Sequence, residues 1–285
     1  VNAVAMGFSA GYSSQKNSAI AIGVSAGQNT QGTNAIAVGF QAGFTNQQSG
    51  AIAIGANAGA IGITAGAVTG QDVNAIAIGN SAGRTAQETG AIAIGFQAGG
   101  TLQGTNSVAI GVNAGANTQG DNSIAIGQGA GNVTQGAGSI AIGTNAGQNT
   151  QGGSSIAIGT SAGAASQGAS SIAIGFLAAS STQGAASIAI GDRTGRISQG
   201  NTAVAIGQFA GNSTQGNNTI AVGQNAGQDR QNSGSISIGT NAGQATQGTN
   251  SIAIGTNAGV LVQGTSAIAI GQNAGQNSQQ SGAIA

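Results

Sequence analysis

Short apolar stretches recur along the chain at a fixed spacing, each closed by a glycine and followed by polar, small or glycine residues. The string Ala-Ile-Ala-Ile-Gly, or a close variant, ends at Gly7, Gly23, Gly39 and Gly55, then at Gly79 and every 16 residues from there to Gly271. That makes 17 copies, with an eighteenth begun at Ala283. A representative unit, residues 139–154, reads SIAIGTNAGQNTQGGS, and the pattern generalises to [AS]-I-A-I-G-x-N-A-G-x-x-x-Q-G-x-[NS]. Within SIAIG small and β-branched residues alternate with period two, the mark of a strand with one buried face. On that reading Ile124 with Ile126, Ile140 with Ile142 and their equivalents point inward. A helix is disfavoured, because Gly recurs every few residues and each costs about 1 kcal/mol in a helix interior.

The N-A-G and Q-G elements fall where corners are needed, since Asn and Gly tolerate positive φ. A coil of 16 residues has room for two short strands and two corners. Stacking at about 4.8 Å puts parallel strands on each side, and the full set would extend roughly 80 Å. The expected fold is all-β, a parallel β-solenoid or flattened β-roll without helices. Its regularity predicts a single continuous array over 1–285, with one 8-residue insertion within 56–74, where 24 residues separate Gly55 from Gly79 instead of 16. There Ile61 to Gly66 echo Ile54 to Gly59, so half a unit is duplicated, which predicts a bulge that leaves the later register unshifted. The chain starts at Val1 and stops within a repeat, which reads as a segment of something longer.

Two columns stand out. Gln holds one place in every copy: Gln15, Gln31, Gln47, Gln71, Gln87, Gln103, Gln119, Gln135, Gln151, Gln167, Gln183, Gln199, Gln215, Gln231, Gln247, Gln263 and Gln279. Its neighbours drift, so solubility alone does not account for it, and identical amides stacked along an axis predict a structural Gln ladder. The central strand alanines, Ala21, Ala37, Ala77, Ala125, Ala141, Ala157 and onward, would lie opposite the inward Ile pairs. They would form an apolar stripe for close packing against another chain. That predicts assembly with copies of itself, most simply a homotrimer, with a single-chain solenoid as the second choice.

Composition narrows the chemistry. The chain has 55 Gly, no Pro, Cys, His or Trp, and five basic and five acidic side chains that cancel. Ordinary domains are about a quarter charged. Lys16, Arg84, Arg193, Arg196 and Arg230 make no basic patch, which argues against nucleic acid or an anionic membrane as partner. No apolar run is long enough to span a bilayer within this segment. Without Cys there is no thiolate chemistry, and without His carboxylate pairs are the remaining candidates for a positioned base or nucleophile; no catalytic residue, cofactor or metal is assigned. Asp192 and Asp229 each have an Arg beside them and read as surface ion pairs. The G-x-x-x-Q-G corners lack the Lys-Ser/Thr ending of a phosphate loop, and the five acids are too few for a calcium roll. The Thr row that includes Thr118, Thr134 and Thr150 is interrupted at Leu102, Arg230 and Val262, which weakens an ice-binding reading. Phe8, Phe40, Phe96 and Phe176 share a variable corner after the strand Gly, where they could meet a receptor or a neighbouring fibre.

The units SIAIGTNAGQNTQG and NSIAIGQGAGNVTQG closely resemble the head repeats of YadA-like trimeric autotransporter adhesins, the Hep/Hag type, whose unit is similar to N-S-V-A-I-G-x-N-A-x-A-x-G. The resemblance implies a left-handed parallel β-roll, three chains side by side, extracellular or cell-surface display and adhesion to host or matrix surfaces. Units here are longer, with two residues gained around the G-x-x-x-Q-G turn. Similar repeats occur in virion fibres, and the Gly, Ala, Asn and Gln spacing bears a poorer likeness to functional amyloid. Two functions follow. A structural shaft of an extracellular fibre or filament would spread its contacts over identical coils. An adhesin head would bind a host protein or glycan through variable corners such as Asp192, Arg193 and Arg196. Uniformity favours the shaft.

Overall fold

The computed structural model describes residues 2–60 and 70–285. It is an all-β parallel solenoid of about 17 coils spaced some 16 residues apart, with no helix among the described residues. Two compact units divide it, Val1–Asn145 and Ala146–Ala285. Residues 61–69, in the stretch 56–74 that holds the insertion, lie outside the described residues.

Each coil contributes a three-residue strand from its Ile-Ala-Ile segment. In the first unit these run from Val4–Met6 through Ile20–Ile22 and Ile124–Ile126 to Ile140–Ile142, each paired in parallel with the next. In the second they run from Ile156–Ile158 to Ile268–Ile270 in the same way. The register places like on like, for example Ile124 on Ile140, Ala125 on Ala141 and Ile126 on Ile142. Ile52 pairs with Ile76 across the longer step, so the register beyond it is unshifted. From Ala86–Gln87 onward the residue before Gln and the Gln itself form a second, two-residue strand, such as Thr118–Gln119 in the first unit and Thr182–Gln183 in the second, while Gln15, Gln31, Gln47 and Gln71 pair through isolated bridges. These also pair in parallel, Gln on Gln.

The interior reverses the sequence expectation. Ala21, Ala37, Ala77, Ala125, Ala141 and Ala157 are fully buried within the chain itself, while the flanking Ile side chains face out. The alanine stripe is therefore core, not a surface for a second chain. The cause is steric. A β carbon placed on Gly83 would lie 3.2 Å from the Ala77 β carbon across the interior, and the Gly99 and Ala93 pair stands at the same distance. Walls that close admit one methyl between them, and an inward Ile would force them apart.

Backbone geometry explains the glycines that matter. Gly159, at the end of its strand, has φ +123°, and a β carbon there would come within 2.6 Å of the Gly175 carbonyl oxygen in the next coil. No side chain fits that column, which is why each apolar stretch closes on Gly.

Candidate functional site

Three features rise above the uniform array: the buried Gln column, the outward Ile face, and one irregular corner in the second unit.

The Gln side chains are the largest that are fully buried. Each amide crosses the interior and donates to backbone carbonyls on the opposite wall. Gln31 Nε2, for instance, lies 2.7 Å from the Ile20 oxygen and 3.3 Å from the Ala35 oxygen. Gln167 repeats the arrangement with Ile156 at 2.7 Å and Ser171 at 3.4 Å. Amide also meets amide between coils, as in Gln87 to Gln103 at 3.1 Å and Gln247 to Gln263 at 3.1 Å. Elsewhere, as at Gln119, the carbonyl contacts are kept and the amide oxygen has no partner. The Gly four residues earlier makes room, since a β carbon on Gly43 would sit 2.7 Å from Gln47 Oε1. Ser237, which replaces the strand alanine, is buried and donates to Gln247 Oε1 at 2.6 Å.

The outward face carries the Ile side chains in two columns. In several strands the second Ile is exposed where the first residue is half-buried, with Ile190 36% and Ile206 39% exposed. In the second unit these columns run along eight successive strands, Ile156–Ile158 to Ile268–Ile270, a continuous apolar stripe of the kind that marks an interaction surface. Phe8, Phe40, Phe96 and Phe176 are exposed just beyond this face, after the strand glycines.

The irregular corner spans the coils around residues 176–209. Asp192 pairs with Arg193 at 3.3 Å and accepts Gln208 Nε2 at 3.2 Å. The Arg193 guanidinium sits over two rings from the adjoining coils, 5.3 Å from the centre of Phe176 and 5.5 Å from that of Phe209. Below it Thr194 takes the place of a core alanine, fully buried, and donates to the Gly207 oxygen at 2.5 Å. Arg196 stands on the same corner with its Nε buried and without a protein partner. Arg193 and Phe209 both adopt left-handed backbone, φ 53° and 58°, at a position held in the other coils by Asn, Ser or Gln, once by Gly129 and once by Leu177. Each such residue costs on the order of 1–2 kcal/mol relative to Asn or Gly. Asp192, Arg193 and Arg196 were legible in the sequence as charged residues on a corner. Phe209 and Thr194 were not, and the missed signal is that Leu177, Arg193 and Phe209 depart from the repeat at the same place in successive coils.

Among the described residues no three His, Cys, Asp or Glu side chains gather to hold a metal ion. No described helix is long and apolar enough to cross a membrane. Residues 103–130, 128–146, 232–258 and 247–274 match the YadA head domain repeat. The chain carries YadA-type head repeats. Head repeats of that family are surface-exposed parts of autotransporter adhesins, a structural rather than an enzymatic class. The matched segments fill less than a third of the chain, and the chain's 16-residue period continues outside them. No curated protein matches the chain.

Proposed function

We propose that the chain is the structural repeat shaft of a surface-displayed fibre, built from several copies packed side by side through their Ile faces, most simply as a homotrimer. The supporting observation is the outward Ile column, an uncharged apolar face left open by the described residues. Covering one such half-exposed side chain contributes about 1 to 2 kcal/mol, so a modest stretch of coils suffices for a stable assembly. The YadA-type repeats support display on a cell surface and assembly in threes. Catalysis has no place in this reading, nor have nucleic acid, cofactor or a membrane span within this segment. The uninterrupted sequence period supports one repeat array through both units, and the Gln column serves as its internal brace.

The test is the solution mass of the full chain, by sedimentation or light scattering. Three times the chain mass is the expected result. A monomer that stays soluble at high concentration would favour the single-chain solenoid, and mass growing without limit a filament. The second reading, an adhesin head that binds a host protein or glycan, is favoured by the irregular corner at Arg193.

A further inference from the structure

Strained backbone and aromatic contact fall in the same three coils of the second unit. Among the described residues, the left-handed positions that are not Gly, Asn, Ser or Gln are Leu177, Ala179, Ala186, Arg193, Thr202 and Phe209, all within three successive coils. Over the same coils the Arg193 guanidinium is held between Phe176 and Phe209. Strain gathered in one place in an otherwise regular array marks where the repeat has been bent to another purpose. This stretch also lies outside both blocks that match the family repeat.

We propose that this corner binds a carboxylate-bearing sugar, the acidic unit of a glycan, with Arg193 and Arg196 pairing the carboxylate and Phe176 and Phe209 flanking the ring. The charge is complementary to such a ligand. Arg193 and Arg196 are two of the chain's five basic residues, and Asp192 is the one acid beside them. That leaves one positive charge in surplus. Arg193 spends one edge on Asp192 and is kept flat by the two rings, so its remaining donors are presented in a fixed fork that suits a carboxylate. The side chains of Gln208 and Asn212 border the site and are held there by Asp192 Oδ2 and the Arg193 carbonyl. Size favours a sugar over a protein. Three coils at about 4.8 Å spacing give a patch roughly 10 Å high, the scale of one or two sugar rings, whereas a stable protein interface needs about 800 Å² on each side.

This proposal deepens the surface-display reading and rests on it for access to such a partner, but the binding measurement does not depend on the number of chains. The full chain is presented to an array of neutral and carboxylate-bearing oligosaccharides and to a glutamate-rich peptide, and its mass is followed in parallel. Arg193→Asn and Phe209→Asn are the variants, because Asn225, Asn241 and Asn257 hold the same coil position in the same backbone geometry and both changes restore the repeat's own residue. The expected result is binding to acidic sugars, roughly ten-fold weaker for neutral ones and weakened to a similar degree by either variant, with mass unchanged. No preference for acidic sugars, or binding indifferent to Arg193→Asn, overturns it. Tighter binding to the peptide would replace the sugar with an acidic protein segment, and a loss of mass on Arg193→Asn would make the corner a contact between copies. Sugar binding by a monomer would leave this site standing while the shaft assembly fell.

Discussion

The largest fully buried side chains in this protein are amides, and that governs what single substitutions do. Gln167 satisfies the carbonyls of Ile156 and Ser171 from inside the roll. Gln167→Leu keeps the volume but leaves those contacts unmade, which should lower unfolding stability in urea by about 1–3 kcal/mol. Gly159→Ala is the harsher change, since it adds a β carbon 2.6 Å from a backbone oxygen at φ +123°. It should cost about 3 kcal/mol or more and disturb the neighbouring coils, and a variant with unchanged melting would refute the close-stacked glycine column. Phe209→Asn should go the other way. It relieves a strained left-handed residue, and a gain of up to about 1 kcal/mol is expected after the lost Arg193 contact is subtracted.

At the level of the strand, Ile-Ala-Ile has apolar side chains on both faces, so alternation identifies the element without saying which face turns inward. A hydrophobic ranking alone chooses Ile, and the structure chooses Ala because opposite walls approach until only a methyl fits between them, as Ala77 and Gly83 show. The outward Ile face can therefore be altered without opening the core. Ile172→Lys combined with Ile188→Lys should leave the β-rich circular dichroism spectrum intact while reducing the assembled mass toward that of one chain. A variant that instead unfolds would mean that these side chains brace the roll from outside. The Gln strand was easier to read, because an exposed residue such as Thr182 beside a buried Gln183 gives each face its own chemistry.

For the whole molecule, the scarcity of charge is the controlling fact. With five basic and five acidic side chains among 285 residues, association through the Ile face is apolar, and salt should not weaken it. Sedimentation between about 0.05 and 1 M salt is expected to give the same assembled mass, whereas dissociation on raising salt would point to ion pairs at the interface. The absence of His removes the side chain that ordinarily changes charge near neutrality, so melting should be flat from about pH 6 to 8. The sequence by itself determined the coil length, the strands, the corners and the invariant Gln, because a one-dimensional repeat writes each local constraint once per coil in plain periodicity. Only the tertiary structure decided which face of the strand is core, since that depends on the gap between two walls that sequence spacing does not measure. Only it, too, brought Phe176, Arg193 and Phe209 together. Residues 16 or 17 apart become neighbours when coils stack, and their contact was visible in the chain only as the departures of Arg193 and Phe209 from the repeat.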